Sequence, residues 1–293
     1  MKALPVANAH PSAFAPLPII ARGTRWLQTC VPWRPIRGLA RFSNWCNRHL
    51  PGYSGPITLP NGVRMAVNSA ESPERWLLFS GNYQPALTYV LRQHTPPGAL
   101  CLDIGANLGF YTVHFAQWAG PQGQVIDFEA NPAMVERIRH NVGLNAFPNV
   151  TIVSAAVHNV AGEIAFNVAV NNGRSSIHPI HTAREQITVP AITIYDYADQ
   201  QHWTRLDVIK IDIEGNDCQA LLGARQTLAR FRPLIAFEYK PGTPSAIASA
   251  AFELLDSLHY ELRTLSTSGR QQGYHWRTDP PRSSDTDIVC LPH

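Results

Sequence analysis

The chain has 293 residues, of which 45% are hydrophobic and 15% charged, with a formal net charge of +3. That length supports one large hydrophobic core or two small ones, the composition is that of a globular protein, and no run of 18 apolar residues marks a membrane-spanning helix. Five cysteines with no C-x-x-C pair exclude a disulfide framework and a structural zinc site, so a reducing, cytoplasmic setting is expected.

The charge is unevenly spread. Residues 1–70 hold eight Lys or Arg and no acid, and the first carboxylate is Glu71; the remainder carries 16 basic and 21 acidic residues, a balance of −5. Pro5, Pro11, Pro16, Pro18, Pro32 and Pro35 interrupt the apolar run that a secretory signal needs. Residues 1–55 read as a basic, Pro-rich arm, a poorly ordered lead-in with one short amphipathic helix around Trp33 to Leu50. The alternative for this arm is attachment to an anionic surface, either by peripheral membrane contact or on nucleic acid.

Residues 56–94 form a lead-in to the main domain. Ile57 to Leu59, the Pro60-Asn61-Gly62 turn and Val63 to Val67 read as a hairpin, and a helix is expected from Pro85 to His94. From residue 95 to 293 short apolar strands alternate with helices. Strands are expected at Ala99–Leu102, Gln124–Phe128, Val150–Val153, Asp207–Ile211 and Leu234–Phe237, with two more near 260–265 and 287–291. Helices are expected at Leu108–Ala119, Pro132–Leu144, Cys218–Ala229 and Ser245–Leu258, and paired strands at 163–170 and 187–194 flank a polar loop. This alternation gives an α/β fold with a mainly parallel sheet, helices on both faces and a ligand at the carboxyl edge of the strands.

Three stretches carry chemistry. The first, Leu102 to Thr112, reads D-x-G-x-x-x-G between a strand and a helix. Gly105 lets the backbone approach a nucleoside, Gly109 lets the helix pack closely, and Asp103 places a carboxylate at the strand end. A dinucleotide site has closer glycines for a pyrophosphate; an acidic mouth suits the ammonium and sulfonium of S-adenosylmethionine instead. The other readings are a nicotinamide site and a plain strand-turn-helix corner.

The second stretch is Phe128 to Pro132, in which Glu129 follows Asp103 by 26 residues. An acid there accepts both ribose hydroxyl protons. The third is Ile209 to Gly215, where Lys210, Asp212 and Glu214 alternate with isoleucines at the exit of an apolar strand. Such charges line a cleft or else solvate a strand end with Glu214 as a helix cap. His178 and His181, in the polar loop, read as part of a substrate-facing lid rather than a metal site, and no metal is expected.

Together these blocks, with Gly81 to Pro85 and Arg232 to Glu238 flanking them, resemble the FkbM-type methyltransferase family over residues 56–240. The resemblance implies a class I Rossmann-like fold whose seven-stranded sheet has one antiparallel edge strand. It implies S-adenosylmethionine as cofactor, held by Asp103, Gly105, Asn107, Gly109, Glu129 and Asn131, with Ala155 or Ala156 near adenine. Asp212 and Glu214 would face the acceptor, with Asp212 the first choice of base or of group orienting the hydroxyl, and Glu214 and Glu238 the alternatives. The chain departs from the family at Gln84, where Glu is frequent, and at Ala130, where Pro is frequent.

The activity expected is O-methylation of a hydroxyl on a small molecule or glycan. A nucleic-acid 2′-O-methyltransferase and a non-catalytic S-adenosylmethionine-binding module are the alternatives. The acidic core lacks the basic stripe of a nucleic-acid site.

Overall fold

The computed structural model describes residues 16–29, 38–169, 175–177, 183–240, 242–265, 271–274 and 285–293. The chain divides into two units, residues 1–83 and 84–293. Among the described residues, no helix is long and apolar enough to cross a membrane.

In the first unit, helices α1 (Pro16–Thr29) and α2 (Leu39–His49) precede a hairpin of β1 (Ser54–Thr58) and β2 (Arg64–Asn68), followed by α3 (Ser72–Ser80). Alternation in the hairpin buries Ile57, Met65 and Val67, with Ile57 paired to Met65. Among its described residues the arm thus forms two helices where one is expected from the sequence. Pro16 and Pro18 fall in the first turn of α1, where a missing N–H is harmless, so these prolines start a helix instead of preventing one. Leu17 and Ala21, one turn apart, are fully buried, and Thr24 Oγ1 donates to the Phe79 carbonyl of α3 at 2.7 Å. Buried Arg25 donates to the carbonyl of Leu78.

The second unit begins with α4 (Pro85–Gln93) and then alternates: β3 (Leu100–Ile104), α5 (Phe110–Ala119), β4 (Gln124–Phe128), α6 (Pro132–Asn145) and β5 (Val150–Val153). A smaller sheet follows, made of β6 (Ala156–Val157), β7 (Gly162–Ala169) and β8 (Ala183–Ile192). Next come α7 (Ile194–Gln200), β9 (Val208–Ile211), α8 (Asp217–Gly223), α9 (Arg225–Phe231), β10 (Leu234–Tyr239) and α10 (Ser245–Ser257). The last strands are β11 (Tyr260–Leu265), β12 (Gln271–Gly273) and β13 (Thr286–Pro292). The expected single helix over 218–229 is divided at Ala224, which is both the C-cap of α8 and the N-cap of α9.

The main sheet runs β12-β11-β13-β10-β9-β3-β4-β5. Strands β5, β4, β3, β9 and β10 are mutually parallel, and β13 is antiparallel to both β10 and β11. This is the class I Rossmann-like methyltransferase arrangement of seven strands, with the short antiparallel β12 added as an eighth. The antiparallel strand implied at the edge lies inside it: β13 is inserted between β10 and β11. Chain reversal in β12 and β13 leaves β11 pointing the same way as the parallel core.

Period-two alternation divides the parallel strands into two faces. Leu102, Ile104, Ile126, Phe128, Ile209, Ile211, Ile235 and Phe237 pack with residues of α7 to α10 in the main core. The opposite face of the same strands carries Asp127, Asp103 and Lys210, which are direct cross-strand neighbours. The topology therefore lays a row of ionisable groups across three buried strands.

Candidate active site

The glycine loop between β3 and α5 owes its shape to three left-handed residues, Gly105 (φ 76), Asn107 (φ 55) and Gly109 (φ 79). Asp212 N donates to the Ile104 carbonyl at 2.9 Å, carrying the β3–β9 ladder one step past the strand ends. A Cβ at position 105 would lie 2.0 Å from the Asp212 carbonyl oxygen. The glycine is required first by this crossing of two chain segments, a constraint on top of any ligand. Gly109 caps α5, and a Cβ there would lie 3.3 Å from Ile138 of α6, so it packs helix against helix.

Glu129 leaves β4 directly beside this loop. Its Oε2 accepts the Asn107 N–H at 2.8 Å and its Oε1 accepts the Asn131 N–H, also at 2.8 Å. Burial pushes its carboxyl up to about 7, against the pull of those two backbone donors. Asn131 is the N-cap of α6, its side chain accepting from Ala133 N at 3.0 Å. Ala155 is buried just past β5. Glu129, Asn107 and Asn131 thus meet at one point, joined by the acid.

Asp103 lies deeper than a mouth residue. It is fully buried, with Oδ2 accepting from the Thr112 hydroxyl of α5 at 2.8 Å and Oδ1 lying 3.6 Å from Lys210 Nζ. Thr112 Oγ1 is also 2.5 Å from Asp127 Oδ2. One hydroxyl hydrogen serves one acceptor, so the second contact requires a proton on a carboxyl. Burial and the nearby Asp103 charge push Asp127 well above the usual carboxylate range, which makes Asp127 the protonated partner. Asp127 then donates to Thr112, Thr112 donates to Asp103, and Asp103 faces the Lys210 ammonium.

Lys210 Nζ also lies 3.6 Å from Asp212 Oδ2, 3.4 Å from the Gly105 carbonyl oxygen and 5.4 Å from the centre of the Tyr111 ring. The Tyr111 hydroxyl donates to Gln84 Oε1 at 2.9 Å, so the amide of Gln84 serves as a neutral acceptor there. Asp212, unlike Asp103, is partly open to solvent. Beyond it Glu214 adopts a left-handed backbone (φ 55) followed by Gly215 (φ 93), a sharp turn that Ser176 supports by donating to the Glu214 carbonyl at 3.1 Å.

A second lysine organises the outer edge. Lys240 Nζ lies 2.5 Å from Glu214 Oε2, 3.1 Å from Glu238 Oε2 and 3.6 Å from Asp285 Oδ2. Burial and the Asp212 charge push Glu238 up to about 8; the same two causes bring Asp217 to about 7 and Asp287 to about 6. The sequence singles out Asp212, Glu214 and Glu238 but assigns nothing to Asp127, Lys240, Asp217 or Asp287. For Asp127 a signal exists, a lone acid in the apolar run Val125-Ile-Asp-Phe128. His178 and His181 lie outside the described residues.

A model of the FkbM methyltransferase domain family matches residues 103–275. The chain belongs to the FkbM methyltransferase family. Membership of this methyltransferase family implies S-adenosylmethionine as the methyl donor. An arsenite methyltransferase of Halobacterium salinarum is 34% identical over 77 residues, 26% of this chain and 20% of that protein; this chain spans about a fifth of the length of that curated relative. A crystal structure of an FkbM methyltransferase from Methylobacillus flagellatus KT is 14% identical with a TM-score of 0.43, covering 74% of this chain and 52% of that one. Fibrillarin of Aeropyrum pernix, solved with natively bound S-adenosyl-L-methionine, is 13% identical with a TM-score of 0.39, covering 70% of this chain and 73% of that one.

The edge residues of this FkbM domain fit that cofactor chemically. Glu129 is a buried carboxylate with lone pairs beyond its two backbone donors, suited to vicinal hydroxyls. The acids around Asp212 outnumber the two lysines, an environment suited to a molecule carrying ammonium and sulfonium charge.

Proposed function

We propose that this chain is an S-adenosylmethionine-dependent methyltransferase that O-methylates a hydroxyl of a small molecule or glycan in the cytoplasm. The observation that carries this reading is the group of acids at the exits of β9 and β10, where the charge of partly exposed Asp212 reaches both Glu214 and Glu238. A hydroxyl is a weak nucleophile and needs a base to take its proton as the new bond forms. Glu238, pushed up to about 8, is an alternative to Asp212 for that base.

The cofactor supplies a methyl group already activated by its sulfonium leaving group. The chain supplies alignment and a base. Glu129 would hold the ribose hydroxyls, and the backbone of the 105–109 loop, with Asn131 and Ala155, would border the nucleoside. Asp212 would accept the proton of the attacking hydroxyl, with Lys210 at 3.6 Å fixing the orientation of its carboxylate. Glu214 and Glu238, both held by Lys240, would border the acceptor. Four cysteines, Cys46, Cys101, Cys218 and Cys290, are buried free thiols, in keeping with a reducing compartment.

The test is titration calorimetry with S-adenosylmethionine and its demethylated product, followed by transfer of a labelled methyl group to panels of sugar, alcohol and RNA acceptors. Label on a hydroxyl oxygen of a small acceptor supports the reading. Cofactor binding with label only on carbon or nitrogen, or only on RNA, overturns the O-methylation of small molecules.

A further inference from the structure

The N-terminal unit carries a surface with no role in the chemistry above. Helix α1 places Ile19, Arg22, Gly23 and Trp26 at i, i+3, i+4 and i+7, all on the side away from buried Leu17 and Ala21. Ile19 is 60% exposed, Trp26 67% and Leu27 51%. Helix α2 repeats the pattern: Leu39, Ser43 and Cys46 are buried, whereas Trp45 (52% exposed) faces outward beside Arg41 and Arg48, and Phe42 (41%) sits at the edge of that face. The Phe42 and Trp45 rings stack at 6.5 Å and 14°.

Both helices dock on the same end of α3. Thr24 and Phe42 both meet Phe79, the first through its carbonyl and the second ring to ring at 6.2 Å. Both helices therefore pack on α3, each with its own outward face. Single exposed hydrophobics are ordinary on a protein surface, but five of them on two helices that both pack on α3, beside exposed Arg22, Arg41 and Arg48, give each helix an apolar face that water does not favour.

The charge around these faces selects their occupant. Residues 1–83 contain nine Lys or Arg and only two acids, Glu71 and Glu74. Glu74 is buried and accepts the Asn68 N–H at 2.6 Å, so it offers no negative surface. Arg22, Arg41, Arg48 and Arg64 are exposed. Tryptophan and phenylalanine flanked by arginine is the composition of helices that lie in the headgroup region of a bilayer, rings in the acyl boundary and guanidinium groups on phosphates.

We propose that α1 and α2 form a docking surface for an anionic lipid bilayer, which holds the protein at a membrane face. Neither helix spans the bilayer; α1 has 14 residues and α2 has 11. Attachment of this kind is reversible, depends on anionic headgroups and weakens with salt.

The test is co-sedimentation of the full chain with vesicles of phosphatidylcholine alone and with equimolar phosphatidylglycerol, at low and high salt. Partition onto the anionic vesicles only, with a blue shift of tryptophan emission and release by salt, is the expected result. Trp26→Ser with Trp45→Ser is expected to lower the partition coefficient at least about tenfold. Arg22→Gln with Arg41→Gln is expected to lower it about 30-fold, roughly fivefold per charge. Both pairs lie on exposed positions, so cofactor binding remains; should the tryptophan pair fail to fold, the arginine pair decides. Absence of partition at low salt, or partition unchanged by the arginine pair, overturns the proposal. So does a dimer that the tryptophan pair dissociates, or tighter binding to RNA than to vesicles, since either names a different occupant.

Discussion

Asp103 and Lys210 face each other across neighbouring parallel strands, paired in register and both buried, with 3.6 Å between Oδ1 and Nζ. Removing one partner of such a pair leaves an uncompensated charge in the interior. Lys210→Met is therefore expected to destabilise the protein by about 3–5 kcal/mol, read from the urea midpoint. Lys240 provides the contrast. Its partners are only partly covered, and Glu238, pushed up to about 8, can take a proton when the lysine is lost, so Lys240→Met is expected to cost less, about 1–2 kcal/mol. Equal losses at the two positions would show that burial is not what makes the Asp103–Lys210 pair matter.

The two loop glycines differ in what surrounds them. At Gly105 a side chain meets a fixed backbone oxygen at 2.0 Å, and the φ of 76 is unfavourable for any L side chain. Gly105→Ala is expected to cost about 2–5 kcal/mol, combining left-handed strain with overpacking. At Gly109 the nearest atom is a flexible side-chain methyl of Ile138 at 3.3 Å, leaving mainly the φ penalty of about 1–2 kcal/mol. Thermal unfolding of the two variants side by side gives the order; a Gly109 variant less stable than the Gly105 variant contradicts this account of the loop.

Acidity acts on cofactor binding and on apo stability in opposite directions. Glu129 (about 7), Asp217 (about 7), Glu238 (about 8) and Asp287 (about 6) all release their protons at higher pH in the folded chain than in the unfolded one. Between about pH 4.5 and 7 the native state therefore binds more protons, and by linkage its stability falls as pH rises. Buried His114, lowered to about 4, works the other way, but it is one group against four. The apo protein is expected to melt higher at pH 5.5 than at pH 7.5. Cofactor affinity, which needs an ionised Glu129 to receive hydroxyl protons, is expected to rise with pH over the same interval. Glu129→Ala is expected to weaken that affinity by about 1.5–3 kcal/mol. Calorimetric titration at the two pH values, with the melts alongside, separates the effects; parallel trends would remove Glu129 from the cofactor site.

Much of this arrangement is legible in the sequence because it is local. D-x-G-x-x-x-G, Glu129 and the alternating Ile209 to Gly215 run name the loop and two strand exits, and apolar alternation names the parallel strands. What escapes is set by neighbours far along the chain. Asp103 reads as a mouth residue, yet the pleat turns it onto the face shared with Lys210 and Thr112. Asp127 looks incidental until its register opposite Asp103 and the shared Thr112 hydroxyl give it a proton to hold. The short strand β12 pairs through three residues with only exposed side chains, so no hydrophobic pattern announces it. Helix α1 is hidden by two prolines whose position in its first turn is decided by packing on α3.

On the proposed reading Asp212 takes the proton and Glu238 tunes it, and variants at the two positions separate these roles. Asp212 is the partly exposed acid nearest Lys210, so Asp212→Asn keeps the shape of the side chain and removes its ability to take a proton. Turnover is expected to fall at least about 100-fold, the lower range for a general base, with cofactor affinity changed by less than about threefold. Glu238 is neutral below about pH 8 and ionised above it, because burial and the Asp212 charge oppose its ionisation. An ionised Glu238 beside Asp212 adds negative charge to the pair and favours proton transfer onto it, so wild-type turnover is expected to rise through pH 8. Glu238→Gln removes that second charge; it is expected to lower turnover by less than about tenfold and to flatten the rise. The decisive comparison is the pH profile of kcat for the three proteins. Retained turnover in Asp212→Asn together with a collapse in Glu238→Gln would transfer the proton-accepting role to Glu238.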